Sequence, residues 1–578
     1  MAEITSPIRK APQFPDDLTL AQFLFDYQHP IRLPREPDSP WIIDSVSGKT
    51  FLQEELRDRT WCLANALSFS YGLGPDHTVG IVSGNHVDFP IAIWAAHRLG
   101  ASAFTLNPIF NVAELTPFLL DMKPALLFVN SVALEAVQAA ATQTGLTRDR
   151  IILLDSSEKR DLCSLQELVE TGLAKKETYQ FEEFKLKPGE GKTKVALCFP
   201  SSGTTGVPKM AAIPHAAIIA NILQNAAHDA GTDEMTVPIM ERRFRPGDVS
   251  LAALPFFHIF GLLLNLHYHI FSGMVVLIMP KFDFKEYLSI IKHYQVNHLS
   301  LVPSILVLFS KHPAVKAEDL TSLRVVFAGG APVNNHLVRA MAALIPQAVV
   351  EQSYGMTEVA GILAMPPLNR RIATGSGGRL LPGNTARVVK QDGTLAGPGE
   401  TGELYIKGPS LATHYVNNEK ISADTFVDGW VRSGDECYFD EDGEIYVVDR
   451  IKDFIKVRGF QVAPAELEAQ LAANPDVADC CVVPVPHEFS GEIPKAYIVL
   501  SKAAAERVSR DPEEGEKIKS ALIQDIAEKR AKYKALGELE FIDSIPRNAA
   551  GKLLRRVLRA KALNDHEAGA AAPGENGV

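Results

Sequence analysis

Short apolar runs bounded by turn residues recur along the first two thirds of the chain, and helical patterns separate them. The runs with the length and composition of buried strands lie at residues 79–82, 125–129, 150–154, 274–279 and 323–328. Windows with apolar residues at helical spacing lie at 87–99, 113–121 and 284–294. Strands that alternate with helices in this way predict an α/β fold in which most strands are parallel and buried.

The pattern changes twice in the last third of the chain. From about Ala386 the runs shorten and glycine turns separate them, which predicts a β-rich, barrel-like subdomain. After Asp449 to Lys452, helices and strands alternate over a shorter length, which predicts a small α+β domain. We therefore expect an N-terminal domain at 1–449 with two α/β subdomains and the β-rich part, a C-terminal domain at 450–562, and a disordered tail at 563–578.

The overall charge limits the possible partners. The chain has 578 residues, a formal net charge of -11 and a sequence pI near 5.9, which disfavours nucleic acids and anionic membranes. Its 46% hydrophobic and 22% charged residues are typical of a globular protein. An anionic ligand must therefore be held by local groups and not by a global field.

Several signals bear on the compartment. The six cysteines have no metal-ligand spacing and are too few to staple a chain of this length, which favours a reducing environment. The N-terminal residues lack the apolar run of a signal peptide, and the last residues are not of the Ser-Lys-Leu type. Polar residues such as Asn265 and His267 interrupt the most apolar window, Phe260 to Pro280, so we expect a buried strand and helix there. These signals predict a cytoplasmic protein without a membrane span.

The most informative stretch is Ser201 to Lys209, which combines four hydroxyls, two glycines and a lysine. Glycines let backbone N–H groups approach an anion, hydroxyls donate further hydrogen bonds, and lysine adds a positive charge. A strand-like run precedes the stretch and a helical run, Ala216 to Ala227, follows it. The stretch is not a P-loop, because Lys209 lacks a preceding glycine and a following Ser or Thr. A phosphate site and an ordinary surface loop both fit this stretch taken alone.

Four further segments follow in order: Gln352 to Glu358, Ser433 to Asp435, Asp449 to Lys452, and Gly551 to Lys552. Together with Ser201 to Lys209, they resemble the adenylate-forming superfamily of acyl-CoA synthetases, coumarate-CoA ligases and beetle luciferases, from about residue 50 to 560. The resemblance implies a reaction in two halves. A carboxylate attacks the α-phosphate of ATP to give an acyl-adenylate, and a thiol, usually that of CoA, then displaces AMP. The implied cofactors and co-substrates are ATP, Mg²⁺ and CoA.

The resemblance assigns the glycine-rich stretch to the β- and γ-phosphates. The residues implied in ATP binding there are Ser201, Ser202, Gly203, Thr204, Thr205, Gly206 and Lys209. Pro200 departs from the family, which often has Ser or Thr at that position. The later hydroxyls are unaffected, so their donors are expected to stabilise charge that develops on pyrophosphate.

The second segment supplies the implied adenine, α-phosphate and metal contacts. Tyr354 resembles the residue that stacks on adenine, and Thr357 the residue that contacts the α-phosphate in catalysis. Glu358 is the implied Mg²⁺ ligand, since this hard cation prefers oxygen. A Thr-Glu pair is also common at a helix N-terminus, which is the alternative. Gly330 and Ala331 resemble the backbone that lines the adenine pocket.

The last three segments complete the implied site. Asp435 and Arg450 are expected to bind the ribose, although Asp435 is also a common turn residue. Lys552 is the implied catalytic lysine that bridges the carboxylate and the α-phosphate, and Lys452 is the implied hinge of a mobile C-terminal domain. A charged linker is the alternative for the hinge segment. The residues that follow Lys452 are expected to supply AMP contacts from Lys456 and Gln461 and CoA contacts from Arg458 and Gly459.

The implied acid site lies near His258, which resembles the catalytic gate at the acyl carboxylate. A histidine in an apolar run is also a common core residue. The implied pocket residues are His258, Phe260, Leu264, Gly330 and Gly361. The apolar wall predicts an aromatic or medium-chain aliphatic acid. Plant coumarate ligases generally have Tyr where this chain has Phe260, which weakens a hydroxycinnamate assignment.

Two alternatives to a CoA ligase remain open at this point. An adenylating enzyme could load a separate carrier protein, since no carrier module follows Lys552. A nucleotide-binding protein that has lost catalysis is the other alternative. The presence of Lys209, Glu358, Asp435 and Lys552 argues against it.

Overall fold

The computed structural model describes residues 3–155, 162–201, 209–231, 236–330, 333, 335–371, 375–451, 453–457, 460–487, 490–530, 532–547 and 553–571. The chain forms two compact units. The first comprises residues 1–387, 405–433 and 442–445, and the second comprises 388–404, 434–441 and 446–578.

The first unit contains two seven-stranded sheets. One has the spatial order His414–Tyr415, Lys209–Pro214, Val195–Ser201, Ser102–Leu106, Thr78–Val82, Leu126–Val129 and Ile151–Leu153. The other has the order Val349–Gln352, Val325–Ala328, His298–Leu301, Val249–Ala252, Val275–Ile278, Ile42–Asp44 and Thr50–Phe51. Most neighbouring strands are parallel, and strands such as Leu126–Val129 are buried along their whole length. Such apolar strands are typical of parallel sheets whose two faces are both covered.

Helices of the first unit follow the strands closely. They are Leu20–Phe25, Gln53–Tyr71, Phe89–Arg98, Val112–Met122, Leu134–Thr144, Leu165–Ala174, His215–Ala230, His269–Phe271, Phe284–His293, Pro303–Lys311, Asn335–Leu344 and Glu419–Thr425, with a π-helix at Phe260–Tyr268. Local chemistry sets their starts. Asn111, for example, accepts the Glu114 N–H at 3.1 Å and donates its own N–H to the Glu114 side chain at 2.9 Å, which forms a capping box. No described helix combines the length and apolar character needed to cross a membrane.

Other strands lie outside these two sheets. Tyr354–Met356, Gly361–Met365 and Arg379–Leu380 form a three-stranded antiparallel sheet. Ile4–Thr5 pairs antiparallel with the start of Thr385–Val389, and Phe426–Val427 pairs antiparallel with the start of Trp430–Phe439. Two further strands, Gly402–Lys407 and Ile445–Arg450, complete the part of the chain predicted to be β-rich.

The second unit has a five-stranded sheet of its own. Its strands are Phe460–Val462, Ile455–Val457, Gly491–Leu500, Val477–His487 and Glu538–Phe541, and its helices are Pro464–Ala472, Lys502–Arg510, Glu513–Lys529 and Arg555–Ala571. Residues such as Val482, Ile498 and Leu522 form its buried core. The predicted α/β class with a smaller α+β unit is confirmed.

One strand was missed, and one local prediction needs correction. A strand, Lys209–Pro214, lies between the glycine-rich stretch and its helix, because the apolar run after Lys209 continues the pairing with Val195–Ser201. The prediction of a disordered tail from residue 563 was wrong for residues 563–571, which belong to the helix Arg555–Ala571. Alanine has a strong helix propensity, and Ala562, Ala568, Ala570 and Ala571 continue that helix.

Candidate active site

The two ends of the glycine-rich stretch lie opposite each other in one hairpin. Ser201 pairs with Lys209 in the antiparallel ladder, and the two residues are 8% and 4% exposed. A lysine this buried needs an anionic or aromatic partner, because desolvation disfavours its charged form. The predicted phosphate ligands Ser202, Gly203, Thr204, Thr205 and Gly206 lie outside the described residues.

The carboxylate of Glu358 is held next to the start of this hairpin. Glu358 lies on a single 3₁₀ turn, Thr357–Val359, and is 4% exposed. Its Oε1 accepts hydrogen bonds from the Ser201 hydroxyl at 2.6 Å and the Tyr415 hydroxyl at 2.6 Å. Short hydrogen bonds to a carboxylate are the strong ones. Among the described residues, both of these hydroxyl donors bond to Oε1.

Tyr415 contacts both the Glu358 carboxylate and the Lys209 ammonium. It lies on the short strand His414–Tyr415, which pairs with the hairpin at Ala211 and Ala212. The Lys209 ammonium lies 5.2 Å from the centre of the Tyr415 ring, at cation–π distance. The Ala412 N–H also donates to the Glu358 carbonyl at 2.9 Å. The segment from Ala412 to Tyr415 thus holds the Glu358 turn through one backbone and one side-chain hydrogen bond.

Glycines are required where the motif of Glu358 folds back on itself. A Cβ on Gly355 would lie 2.1 Å from the Gly361 carbonyl oxygen, which no side chain tolerates. Ala360 has a φ of 54° and Gly361 a φ of 123°, so the chain turns through left-handed backbone after the 3₁₀ turn. Gly355 and Gly361 thereby bring the two strands of the Tyr354–Met365 hairpin into close contact.

The predicted adenine-side residues are partly described. Tyr354 is half-buried, and a Cβ on Gly377 would lie 2.7 Å from its Cβ, so the Gly377 backbone packs directly behind it. Thr357 is half-buried at the start of the 3₁₀ turn. Gly330 has a φ of 80° at the end of the strand Val325–Ala328, which favours glycine there. Ala331 lies outside the described residues.

One wall of the predicted acid pocket is formed by Phe260. A Cβ on Gly329 would lie 3.3 Å from the Phe260 ring and 3.6 Å from the Ser353 hydroxyl. The Gly329 backbone therefore faces the Phe260 ring and the Ser353 hydroxyl, with little room for a side chain between them. Phe260 packs at the edges of two hydrophobic clusters and stays half-buried.

The π-helix Phe260–Tyr268 carries the rest of this wall. Leu263 lies 3.9 Å from a Cβ placed on Gly361, and Leu263 and Leu264 are both buried in the same hydrophobic cluster. The Asn221 Oδ1 lies 3.0 Å from the same point, and Asn221 hydrogen bonds to the backbone N–H and carbonyl of Ile362. π-helices are rare and occur frequently at functional sites.

His258 lies just before the π-helix and is half-buried. Its Nδ1 accepts the Phe260 backbone N–H at 3.3 Å. In the neutral ring this bond assigns the hydrogen to Nε2, which makes Nε2 a donor. The gate role of His258 stays a prediction.

Comparison with known proteins fits this arrangement. A family model described as "AMP-binding enzyme" matches residues 32–416, and the model of the AMP-binding enzyme C-terminal domain matches residues 466–552. The chain belongs to the AMP-binding enzyme family. The resemblance found in the sequence is thereby confirmed.

Curated relatives of this AMP-binding enzyme are named CoA ligases. The chain is 34% identical to the peroxisomal OPC-8:0-CoA ligase 1 of Arabidopsis thaliana over 89% of each chain. It is 33% identical to 4-coumarate–CoA ligase 2 of Oryza sativa subsp. japonica, over 95% of this chain and 93% of that one. It is also 33% identical to the acyl-CoA ligase frbB of Dothideomycetidae sp. (strain 11243), over 90% and 93%. The protein is an AMP-forming ligase of the acyl-CoA synthetase class.

Solved structures show the same fold. ATP-bound MatB from Rhodopseudomonas palustris is 26% identical, with a TM-score of 0.79 over 94% of this chain and 98% of that one. The anthranilate CoA ligase AuaEII, in complex with anthranoyl-AMP, has a TM-score of 0.80 over 96% and 99% at 21% identity. The second likeness concerns the fold alone.

The predicted ribose residues of this AMP-binding enzyme lie in the second unit and contact each other. Arg450 Nε lies 3.0 Å from Asp435 Oδ1, and Asp435 is 4% exposed. The neighbouring Asp449 accepts the backbone N–H groups of Arg450 at 2.7 Å and Ala465 at 3.0 Å. Burial raises the pKa of Asp449 to about 6. The structure therefore places a paired carboxylate and guanidinium directly before the predicted hinge.

The remaining predicted residues of this AMP-binding enzyme cannot be placed. Lys452, Arg458, Gly459 and Lys552 lie outside the described residues. Lys456 and Gln461 lie on the short strands Ile455–Val457 and Phe460–Val462, but their side chains are also outside the described part. Their roles stay predictions.

Sequence reasoning missed several residues that the structure brings to the site. Tyr415 and Asn221 lie in segments without a recognisable motif, and neither has a sequence signal of its own. Glu351 and Arg243, a buried ion pair behind the motif, were also missed. A charged residue at the end of an apolar strand, as in Val349-Val350-Glu351, is the only signal that could have indicated such a pair.

Proposed function

We propose that the protein activates a carboxylic acid with ATP and transfers the acyl group to the thiol of CoA. The observation that carries this proposal is the Glu358 carboxylate, held at 2.6 Å by the hydroxyls of Ser201 and Tyr415 next to the buried Lys209. The Ser201 hydroxyl that donates to Glu358 and the Lys209 ammonium belong to residues at the two ends of one glycine-rich stretch. Such a grouping suits a phosphate chain with its metal ion.

The reaction proceeds in two displacements. A carboxylate oxygen of the acid attacks the α-phosphorus of ATP, the bond to the bridging oxygen breaks, and pyrophosphate leaves with that electron pair. The CoA sulfur then attacks the acyl carbonyl carbon, and AMP leaves with the electron pair of the C–O bond. The thiol proton passes to the medium.

The first displacement assigns a role to each residue of the first unit. Lys209 and the Ser201–Lys209 backbone hold the leaving pyrophosphate, and Thr357 contacts the α-phosphate. Glu358 fits Mg²⁺ through Oε2, since this cation takes one or two carboxylates together with phosphates and waters. The described residues contain no cluster of three His, Cys, Asp or Glu side chains. Bound Mg²⁺ would neutralise phosphate charge.

The second unit completes the proposal. Asp435 and Arg450 bind the ribose, with Lys456 and Gln461 as further AMP contacts. Lys552 bridges the carboxylate and the α-phosphate. Rotation at Lys452 then replaces Lys552 by the Arg458–Gly459 segment, which faces CoA. Two chemically different half-reactions can in this way share one nucleotide site.

The acid is proposed to be aromatic or medium-chain aliphatic. The support is the wall of Phe260, Leu263 and the Gly329 backbone, which is apolar. Relatives named for coumarate and for OPC-8:0 fit acids larger than acetate.

Pyrophosphate exchange into ATP tests the activity and the acid together. A panel of benzoate, cinnamate, coumarate, hexanoate, octanoate and acetate should give exchange with one or more of the larger acids and little with acetate. Exchange with none of them would contradict the proposal. Thioester formation is then compared with CoA and with a phosphopantetheinyl carrier protein, and CoA should be the better acceptor.

The role of Lys552 has its own test. Lys552→Ala should abolish exchange and still allow CoA to react with supplied acyl-adenylate. Lys561→Ala is the matched control, since Lys561 lies in the helix after Lys552 and pairs at the surface with Glu540 and Asp565. Equal loss of both half-reactions in Lys552→Ala would refute the role.

A further inference from the structure

A buried guanidinium lies behind the strand that leads into the Tyr354–Glu358 motif. Arg243 is 6% exposed, and Glu351 on the strand Val349–Gln352 is fully buried at 0%. Arg243 Nη1 lies 3.0 Å from Glu351 Oε2, and Nη2 donates to Oε1 at 3.3 Å. The position of Arg243 therefore controls the position of the chain that enters the motif.

The same guanidinium binds the chain that leaves the motif. Arg243 Nη1 donates to the Pro366 carbonyl at 3.0 Å, and Nη2 donates to the carbonyls of Pro367 at 2.6 Å and Arg370 at 3.3 Å. These residues directly follow the strand Gly361–Met365. One side chain thus joins both ends of the hairpin on which Tyr354, Thr357 and Glu358 lie.

Arg243 is itself held by the helix His215–Ala230. The carboxylate of Asp229, near the end of that helix, accepts the backbone N–H groups of Arg243 at 3.0 Å and Phe244 at 3.2 Å. His228, the preceding residue, bonds the Pro366 carbonyl at 3.0 Å. Asn221, two turns earlier, binds Ile362. A group supported by a rigid helix in this way has a fixed position.

We propose that Arg243 is a positioning residue for ATP. It fixes the two ends of the motif hairpin, so that the adenine, α-phosphate and metal contacts stand at the correct distances from the Ser201–Lys209 stretch. A planar fork with five donors can serve a carboxylate and three carbonyls together, whereas the point charge of lysine cannot. The inference rests on the proposed function, because it assumes that the hairpin binds ATP.

Arg243→Lys tests the inference, with Arg98→Lys as the matched control. Arg98 is equally buried and pairs with Asp26 and Glu183 on other elements, outside the proposed site. Both variants should lower the melting temperature. Only Arg243→Lys should raise the KM for ATP, by roughly tenfold, the effect of losing one hydrogen bond to a charged group. The KM for CoA should stay within about twofold of the wild-type value.

Glu351→Gln provides a second measurement in case Arg243→Lys does not fold. The amide keeps the shape of the side chain but removes the ionic contact, so the KM for ATP should rise roughly threefold. An unchanged KM for ATP in a folded Arg243→Lys, or in Glu351→Gln, would overturn the inference and leave a structural ion pair. Absence of exchange in the wild-type protein would instead overturn the proposed function.

Discussion

The hydroxyl of Tyr415 is expected to contribute directly to the use of Mg²⁺ and ATP. It donates to Glu358 Oε1 at 2.6 Å in a site where Glu358 is 4% exposed. Tyr415→Phe removes this donor and retains the ring, which lies 5.2 Å from the Lys209 ammonium. The substitution therefore removes the hydrogen bond to Glu358 and keeps the cation–π contact with Lys209.

A hydrogen bond to a charged group contributes about 1.5–3 kcal/mol. At about 1.4 kcal/mol per factor of ten, its loss lowers kcat/KM for ATP by roughly 10- to 100-fold if the bond acts fully in the transition state. Ser201 still donates to the same oxygen, so the lower end of this range is expected. The Mg²⁺ concentration for half-maximal exchange should rise as well.

Pyrophosphate exchange at varied Mg²⁺ and fixed acid measures this effect. Tyr405→Phe is the matched control, because the Tyr405 ring lies between Arg387 at 5.1 Å and Arg432 at 5.5 Å, on a different strand. Tyr405→Phe should behave as the wild type. If Tyr415→Phe keeps its Mg²⁺ dependence and kcat/KM within twofold of the control, the role assigned to the hydroxyl is wrong.

Three further changes have definite expected outcomes. Gly355→Ala places a methyl group 2.1 Å from the Gly361 carbonyl oxygen, so exchange should be lost, and normal exchange by a folded variant would contradict the hairpin geometry. Gly329→Ala brings a methyl group 3.3 Å from the Phe260 ring. The KM for the acid should therefore rise about tenfold, and the KM for ATP should stay unchanged. Equal changes in both KM values would refute a role limited to the acid. Burial lowers the pKa of His97 to about 4. As the pH falls below 6.5, His97 takes up a proton in the unfolded chain, whereas in the folded chain it does so only near pH 4. The stabilisation from keeping His97 neutral is complete above pH 6.5 and is lost as the pH falls towards 4. At pH 5 the free energy of unfolding has dropped by about 2 kcal/mol for this histidine. Urea unfolding at pH 8 and pH 5 should show a smaller pH dependence for His97→Gln than for the wild type.

The sequence was sufficient for features that depend on local periodicity and short motifs. The buried parallel strands were visible because their apolar runs are continuous. Ser201 and Lys209 were named from residue types that suit phosphate, and Glu358 was named from the resemblance to a known family. Their roles stay predictions, although the structure brings these three residues into one neighbourhood.

Contacts between distant segments could not be predicted in the same way. Tyr415 meets Glu358 across 57 positions, and Arg243 meets Glu351 across 108. No periodicity links such residues, because their approach follows from the order of strands in the sheets. The strand Lys209–Pro214 was missed for a related reason. Its run of Met, Ala and Ile is compatible with a helix, and pairing with Val195–Ser201 decides the outcome.

The window from Phe260 was recognised as buried, but its helix type was not. A segment that is apolar on every side has no face to indicate its period. The i to i+5 bonding of Phe260–Tyr268 is therefore a result of packing in the core, where Leu262, Leu263 and Leu264 are all buried.

The π-helix beside the proposed acid pocket can change in length without disturbing its surroundings. An i to i+5 turn holds one residue more than an α-helical turn, so loss of one residue between 260 and 268 can be absorbed by tightening that turn. The flanking strands Val249–Ala252 and Val275–Ile278 would keep their pairing. A neighbouring residue of the helix would then take the place of Leu263 opposite Gly361. Single-residue deletions here are thus a route by which a chain of this fold can change the wall of the proposed acid pocket and leave the proposed nucleotide site intact.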